Sequence, residues 1–112
     1  MVEIKLSEEF LEDFSRIEKR AEGGNGEAAY LLKIMNKGIA KLSSNHESGQ
    51  RIQRPLWPDY YKRKYDVTNL WRLRLDDCWR MIYTMRGDQI CIFAMILDVL
   101  DHKIYDRRFG YR

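Results

Sequence analysis

The fold is decided by the stretch from Asn69 to Arg112, which reads NLWRLRL at 69–75, WRMIYTMRGDQICIFAMILDVL at 79–100 and DHKIYDRRFGYR at 101–112. Apolar and polar residues alternate through its first two segments, and this period of two lets a strand bury one face and expose the other. The stretch therefore predicts a meander of three antiparallel strands, followed by a polar tail.

The second turn of the meander contains Gly87 and Asp88, a pair that two-residue hairpin loops favour because glycine tolerates a positive φ. A two-residue loop at this place sets the strand pairing on both sides of it. The predicted pairs are Arg86–Gln89, Thr84–Cys91, Ile82–Phe93 and Arg80–Met95.

The first turn, at residues 76–78, allows two loop lengths. A three-residue loop sets Arg74 opposite Arg80, whereas a two-residue loop splits the apolar residues between the two faces of the sheet. The apolar pattern selects the three-residue loop. One face then carries Trp71, Leu73, Leu75, Trp79, Met81, Tyr83, Ile92, Ala94 and Ile96, and the other gathers Arg72, Arg74 and Arg80.

This arginine cluster has two interpretations. Like charges directly opposite each other destabilise a sheet by a few tenths to about 1 kcal/mol per pair, so a chain selected only for folding would scatter them. The cluster is either a solvated basic face or a polyanion site, in which planar guanidinium groups bind phosphate bidentately. Because three arginines converge beside apolar strands, the sequence favours the polyanion site.

Composition bounds the fold and the class of partner. A chain of 112 residues with 45% hydrophobic and 33% charged residues predicts one soluble globular domain spanning 1–112. The net charge of +3 indicates nucleic acid only weakly. The charge distribution is more telling, since acidic residues concentrate before position 28 and basic ones between Arg51 and Arg86.

The cysteines and histidines predict neither a disulfide nor a metal site. Cys78 falls in a turn and Cys91 in a strand, which fits a reducing cytoplasm. His46 and His102 lie far apart and no CxxC motif occurs, so no metal and no cofactor is predicted. Cys91 is either a nucleophile paired with His102 or an inert buried thiol, and the apolar strand around Cys91 favours the inert thiol.

No targeting segment or membrane span is predicted. The first ten residues lack an apolar leader, and the longest apolar run, Ile90 to Leu97, is too short to cross a bilayer.

The N-terminal half predicts a strand followed by two helices. Val2 to Leu6 alternates like a strand that pairs at a sheet edge or beside the last strand. Ser7 is a plausible N-cap of a first helix that ends at Gly23, and a second helix covers residues 27–43. Their apolar stripes are Phe10, Phe14, Ile17 and Ala21 in the first helix and Ala28, Leu31, Leu32, Met35, Ile39 and Leu42 in the second. The fold class is therefore α+β, with a helical hairpin packed on the apolar face of an antiparallel sheet.

Residues 44–68 lose this periodicity and predict a long loop, in which Pro55 and Pro58 exclude a helix interior or a central strand. The loop interleaves aromatic and cationic residues, which suits stacked bases and phosphates. In the other interpretation Leu56 and Trp57 pack at the edge of the core, and the cationic side chains of the loop only contact solvent. The residues concerned are Trp57, Tyr60, Tyr61, Tyr65, Lys62, Arg63 and Lys64.

The polar tail also has two interpretations. It is either a solvated chain end or a return of the chain over the open sheet face towards Arg80. The residues that a return would bring there are His102, Lys103 or Tyr105.

Three segments carry a resemblance to a known family: LWRLRL, WRMIY and the apolar strand that ends in DHKIYDR. Together they resemble the RelE/ParE superfamily of type II toxin–antitoxin toxins, and in particular its RelE-like branch of messenger-RNA endoribonucleases. The resemblance covers most of the chain. It implies the microbial RNase fold of that family, an mRNA interferase activity at the ribosome, and cleavage by attack of the ribose 2'-hydroxyl on the adjacent phosphate.

The same resemblance implies partners and site residues. The partners are a cognate antitoxin protein, mRNA and the ribosome, in the cytoplasm, with assembly as a homodimer or a toxin–antitoxin hetero-oligomer. Phosphate binding and proton abstraction fall to Arg72 and Arg74, transition-state stabilisation to Arg80. The resemblance also makes Lys103 a second catalytic cation. It gives Tyr105 a role in orienting or stacking on the substrate and gives His102 a role as an acid or base. The implied RNA-binding residues are Lys62, Arg63, Lys64, His102 and Arg107.

Two departures from the family pattern leave an alternative open. Lys103 stands where an arginine is usual and loses bidentate geometry, and Arg72 and Arg74 are poor bases because an arginine pKa stays above ~12. The alternative is a non-catalytic binding protein of the same fold, either a ParE-like gyrase inhibitor or a degenerate toxin.

Overall fold

The computed structural model describes residues 2–87 and 92–110. A single five-stranded sheet with strand order β1-β5-β4-β3-β2 carries helices on both faces. The predicted α+β class and helical hairpin are confirmed. The elements are β1 (Glu3–Leu6), α1 (Glu8–Glu22), α2 (Gly26–Ser44), β2 (Gln50–Arg51), a 3-10 turn (Arg54–Leu56), α3 (Asp59–Tyr65), β3 (Trp71–Arg74), β4 (Trp79–Gly87), β5 (Ile92–Asp101) and α4 (His102–Phe109).

The N-terminal half forms as its sequence predicts. β1 lies at the sheet edge and pairs in parallel with β5, so the sheet is antiparallel except at this edge. The Ser7 hydroxyl accepts the backbone N–H of Phe10 at 3.2 Å and caps α1, while Asn25 caps α2 through the N–H of Ala28 at 2.9 Å. The described helices include none that is both long enough and apolar enough to cross a membrane.

The three-residue turn between β3 and β4 is confirmed. Arg74 pairs with Arg80, and the Leu75 N–H donates to the Trp79 carbonyl at 3.0 Å. Trp79 departs from the prediction, because it pairs with Asp101 at the end of the sheet and is only half-buried, outside the core beneath α1 and α2. The side chain of Ile92 lies outside the described residues. The other predicted residues of the apolar face do join that core: Trp71, Leu73, Leu75, Met81, Tyr83, Ala94 and Ile96.

The predicted pairing of β4 with β5 is wrong. Thr84 pairs with Met95 instead of Cys91, a shift of four residues from 91 to 95, and Arg86 pairs with Phe93. Residues 88–91, which join the two strands, lie outside the described part of the chain, as does Cys91 itself. An even shift leaves every side chain on its predicted face, so the apolar alternation could not reveal the error.

A β-bulge displaces the pairing further along the same ladder. It lies between Ile82 and Tyr83, so that Ile82 pairs with Asp98 and Arg80 pairs with Leu100 rather than Met95. Such a bulge inserts an extra residue into one strand, and the alternation of apolar and polar residues does not predict where it occurs.

The second face of the sheet is not open, as the sequence analysis assumed, but covers a second core. Much of its cover comes from residues 44–68, where the predicted loop is wrong: the segment holds β2, a 3-10 turn and α3. Pro55 lies in the first turn of the 3-10 helix and Pro58 caps α3, positions that need no backbone N–H. The second core comprises Ile52, Trp57, Tyr61, Val67, Leu70, Ile82, Leu97, Leu100, Tyr105 and Phe109.

The aromatic residues of this segment pack mainly as core. Trp57 is buried and its Nε1–H donates to the Ile52 carbonyl at 2.8 Å, whereas Leu56 remains 47% exposed. Tyr61 is fully buried. The interpretation that Leu56 and Trp57 pack at the edge of the core is therefore confirmed for Trp57 and wrong for Leu56.

The polar tail returns across the second face as helix α4. Asp101 caps α4 by accepting the Ile104 N–H at 2.9 Å, and Tyr105 and Phe109 enter the second core. Arg108 donates to the Asp98 carboxylate at 2.7 Å, which also accepts the Tyr61 hydroxyl at 3.1 Å. This cluster joins α3, α4 and β5.

We expect Arg108→Ala to lower the free energy of unfolding by about 2 kcal/mol at neutral pH, because it removes the cation that pairs with a largely buried carboxylate. Burial raises the pKa of Asp98 and Arg108 opposes that shift, so the ionised carboxylate costs the folded state more without Arg108. The deficit should therefore grow from acid to neutral pH, as measured by urea unfolding.

The control for this prediction is Arg107→Ala, because Arg107 is the exposed neighbour on the same helix. This variant should change stability by no more than about 0.5 kcal/mol. A deficit for Arg108→Ala that matches the control, or that is the same at acid and neutral pH, would contradict the role of the Asp98 pair.

Candidate functional site

One cleft, here called the arginine cleft, collects half of the ten predicted site residues. It has a volume of about 610 Å³ and lies where β2, β3 and β4 meet α2 and α4. Its lining holds four cations, an imidazole, a phenol and one carboxylate. The lining residues are Lys41, Ser48, Gly49, Gln50, Arg72, Leu73, Arg74, Arg80, His102, Tyr105 and Asp106.

Arg72 is held from two sides. Its Nε and Nη2 donate to Oε1 of Gln50 at 3.1 and 3.0 Å, and its Nη1 donates to the Tyr105 hydroxyl at 2.5 Å. The guanidinium carbon also lies 5.9 Å from the centre of the Tyr105 ring. Arg72 thus ties β2, β3 and α4 together, and its orientation is set before any ligand arrives.

Arg74 and Arg80 face each other across β3 and β4, as predicted, and share one acceptor. The backbone carbonyl of Asp76 accepts Arg74 Nε at 3.2 Å and Arg80 Nη1 at 2.8 Å. Arg74 also forms an ion pair with Asp77. These acceptors offset the repulsion between the two guanidinium groups and hold both groups beside the 76–78 turn.

The Asp76 side chain organises the same turn. Its Oδ1 accepts the backbone N–H groups of Cys78 at 2.8 Å and Trp79 at 2.7 Å, and its Oδ2 accepts the Tyr30 hydroxyl at 2.6 Å. The hydrogen bond from Tyr30 is the main reason that the pKa of Asp76 lies below its usual value, and the same bond raises the pKa of Tyr30. The turn is therefore anchored to α2.

His102 begins α4 at the rim of the cleft and has a neighbour that the sequence analysis missed. Its Nδ1 lies 3.5 Å from the sulfur of Cys78. The other predicted partner, Cys91, lies outside the described residues. The contact follows from the antiparallel pairing of Trp79 with Asp101. Cys78 precedes Trp79 and His102 follows Asp101, so the pairing brings Cys78 and His102 together. A correct strand register would have revealed it. Within residues 2–87 and 92–110, no group of three or more metal-ligating side chains occurs.

Gly49 lines the cleft beside β2 and is held by Tyr83, a contact that the sequence does not predict. The Gly49 N–H donates to the Tyr83 hydroxyl at 3.1 Å, and that hydroxyl donates to the His46 carbonyl at 2.9 Å. Burial raises the pKa of Tyr83 to about 12, so it stays a neutral donor at physiological pH. A Cβ on Gly49 would come within 2.4 Å of the Arg72 carbonyl oxygen.

Five of the predicted residues do not reach the cleft. Lys103 and Arg107 are exposed on α4 and are absent from the cleft lining. Three more lie on α3: Lys62 and Arg63 form ion pairs with Asp59, and Lys64 with Glu9. The structure does bring together Arg72, Arg74, Arg80, His102 and Tyr105.

The cleft has the chemistry of a phosphodiester site. Guanidinium groups bind phosphate oxygens through charge-assisted hydrogen bonds and stabilise charge that develops on them. An imidazole moves protons near neutral pH.

No family model, curated protein or solved structure matches this chain, so the RelE/ParE assignment stays a prediction.

We expect Gly49→Ala to destabilise the fold by about 1–3 kcal/mol, because the new methyl group would collide with backbone rather than with a flexible side-chain end. Thermal unfolding measures the loss. Gly26→Ala is the matched control, since a Cβ there meets nothing within 4 Å and alanine favours the start of α2. Equal melting temperatures for the two variants would contradict the prediction.

We expect Asp76→Ala to lower the free energy of unfolding by about 1–2 kcal/mol at neutral pH, since two turn N–H groups lose their acceptor. The folded-state pKa of Asp76 is depressed, so its contribution is present above the unfolded pKa of about 3.9 and disappears as the pH falls through the folded value. The difference from wild type should shrink accordingly in denaturant titrations.

Asp77→Ala serves as the control for the Asp76 prediction, because the Asp77 side chain is 95% exposed and its ion pair with Arg74 lies on the surface. A stability loss of Asp77→Ala equal to that of Asp76→Ala would show that charge, rather than the turn hydrogen bonds, is responsible.

Proposed function

We propose that this protein is a RelE-like endoribonuclease toxin that cleaves mRNA by attack of the ribose 2'-hydroxyl on the adjacent phosphate. The observation that carries the proposal is the convergence of Arg72, Arg80, His102 and Tyr105 in one cleft, from strands β3 and β4 and helix α4. The two arginines lie more than twenty residues before His102 and Tyr105 in the sequence. A solvated basic face would not require a phenol and an imidazole to meet its arginines.

Substrate binding is assigned to the arginines. A phosphodiester in the cleft would accept hydrogen bonds from Arg72 and Arg80, with Arg74 at the rim. Arg72 needs no reorientation, because Gln50 and Tyr105 already hold its guanidinium group. Such preorganised donors stabilise developing negative charge at little reorganisation cost.

The proton transfers are assigned to His102 and Tyr105. The His102 imidazole accepts the proton of the 2'-hydroxyl, whose oxygen then forms a bond to phosphorus. The bond from phosphorus to the 5'-oxygen breaks, and that oxygen takes a proton from Tyr105, whose phenolate Arg72 would stabilise. The products are a 2',3'-cyclic phosphate and a 5'-hydroxyl end.

The proposal departs from the family expectation at Lys103. That residue is exposed and does not line the cleft, so it receives no catalytic role here. The proposed function includes a ribosome-bound mRNA substrate, a cognate antitoxin protein as partner and a cytoplasmic location.

A second candidate is a non-catalytic binding protein of ParE type. The observation that favours it is that the chain itself supplies acceptors to all three arginines. Arg72 donates to Gln50 and Tyr105, Arg74 contacts Asp77, and Arg74 and Arg80 share the Asp76 carbonyl. Arginines held in this way suit a rigid recognition surface as well as a reacting centre.

In a reconstituted translation reaction we expect the wild-type protein to cut mRNA and the Arg80→Ala variant to cut it at least a hundredfold more slowly, as for the loss of one transition-state donor. Mapping of mRNA ends measures the rate. The fragments should carry 5'-hydroxyl ends. Arg20→Ala is the matched control, because Arg20 is exposed in the last turn of α1 and does not line the cleft; it should cut at the wild-type rate.

Either of two results would refute the nuclease. One is intact mRNA in a reaction whose translation has stopped, and the other is unchanged cleavage by an Arg72→Ala, Arg80→Ala double variant with a native circular dichroism spectrum. Growth arrest accompanied by DNA damage, with intact mRNA, would instead support the ParE-like candidate.

A further inference from the structure

A second depression, here called the α2 groove, runs between helix α2 and strand β3 and ends at the 76–78 turn. Its volume is about 790 Å³. None of the described residues that line it is acidic. The lining consists of Tyr30, Lys33, Ile34, Lys37, Gly38, Ala40, Lys41, Ser44, Asn45, Ser48, Leu73, Arg74 and Leu75.

A row of lysines forms one rim of the α2 groove. Lys33, Lys37 and Lys41 are four residues apart on α2, so they share one face at steps of about 6 Å. All three are exposed, and across residues 2–87 and 92–110 none of them forms an ion pair. Arg74 stands on the opposite rim. The groove is thus a channel of positive charge that the chain does not neutralise on its α2 side.

The α2 groove continues into the arginine cleft. Lys41, Ser48, Leu73 and Arg74 line both depressions. A strand bound with one phosphate at Arg72 and Arg80 can therefore extend past Arg74 into the groove without leaving the protein surface.

The floor of the groove is apolar. Ile34, Leu73 and Leu75 form it, and Gly38 gives it depth, since a Cβ at that position would lie 2.6 Å from Cδ2 of Leu75. Tyr30, 49% exposed, stands at the end near the turn. Apolar and aromatic surface between two cationic rims is the arrangement by which proteins hold single-stranded nucleic acid, with bases inside and phosphates on the cations.

We propose that the α2 groove binds the single-stranded RNA that flanks the phosphate in the arginine cleft, with successive phosphates on Lys41, Lys37 and Lys33. The proposal rests on the proposed function, because it identifies the strand in the groove as a continuation of the strand to be cut. The regular lysine spacing and the continuity with a guanidinium-lined cleft favour a polyphosphate over an acidic peptide. The groove lysines would add affinity and length dependence rather than chemistry.

The test measures binding of 2'-O-methyl RNA, which lacks the attacking hydroxyl and so cannot be cut by the proposed reaction. A dinucleotide fills the arginine cleft alone, and an oligomer of about 10 nucleotides, within the usual range of single-strand site sizes, also reaches the groove. The variant is Lys33→Gln, Lys37→Gln, which leaves Lys41 and the cleft lining intact.

We expect the wild type to bind the oligomer more tightly than the dinucleotide. The double variant should bind the oligomer about tenfold more weakly at low salt and the dinucleotide unchanged. The slope of log affinity against log salt for the oligomer should fall by about 1.4, or about 0.7 for each lost phosphate contact. The control is Lys19→Gln, Arg20→Gln, which removes the same charge from the exposed end of α1 and should retain wild-type binding.

Equal losses in the variant and the control would overturn the proposal, because they would show a bulk charge effect. So would tighter binding of a polyglutamate peptide than of the oligomer, with the same dependence on Lys33 and Lys37; that result would make the groove a docking site for an acidic protein. If the oligomer binds as expected while the wild-type protein cuts no RNA, the nuclease proposal fails and the groove assignment stands.

Discussion

Much of the structure depends on the way in which the 76–78 turn accommodates two opposed arginines. A direct pair of guanidinium groups on neighbouring strands is unfavourable unless acceptors lie between them. The Asp76 carbonyl meets that need for Arg74 and Arg80, while the Asp76 carboxylate accepts two backbone N–H groups of the turn and the Tyr30 hydroxyl. A single residue therefore holds the register of β3 and β4, the placement of the cations and the contact with α2.

Burial on both faces of the sheet explains how α4 reaches the cleft. The face beneath α1 and α2 is one core, and the opposite face is a second core that takes Tyr105 and Phe109. Because Tyr105 is anchored there, its hydroxyl meets Arg72 at a set position. The Asp98–Arg108 pair secures the far end of the same helix. The cleft is thus assembled by packing that lies outside it.

Sequence reasoning reached part of the candidate site and missed part of it. The three arginines were placed on one face because residues two apart on a strand share a side, and the short turn left one register that kept the apolar set together. Gly49, Gln50 and Cys78 gave no comparable signal. Their roles depend on β2 pairing with β3 across a segment without periodicity, and on Trp79 pairing with Asp101. Lys103 was expected near Arg80 from the return of the tail and received a catalytic role from the resemblance, but it is exposed on α4 and does not line the cleft.

What the sequence by itself determined was local and periodic: the capped helices α1 and α2, the alternation of the strands, and the turn at Asp76. These features depend on interactions between residues close in the chain, whose types and spacing are visible in the letters. Only the tertiary structure decided the β4–β5 register, since an even shift preserves the apolar alternation and the alternation does not predict where a bulge falls. It also decided the second core and the meeting of His102 and Tyr105 with the arginines, because those contacts join segments more than twenty residues apart and depend on which surfaces can be buried together.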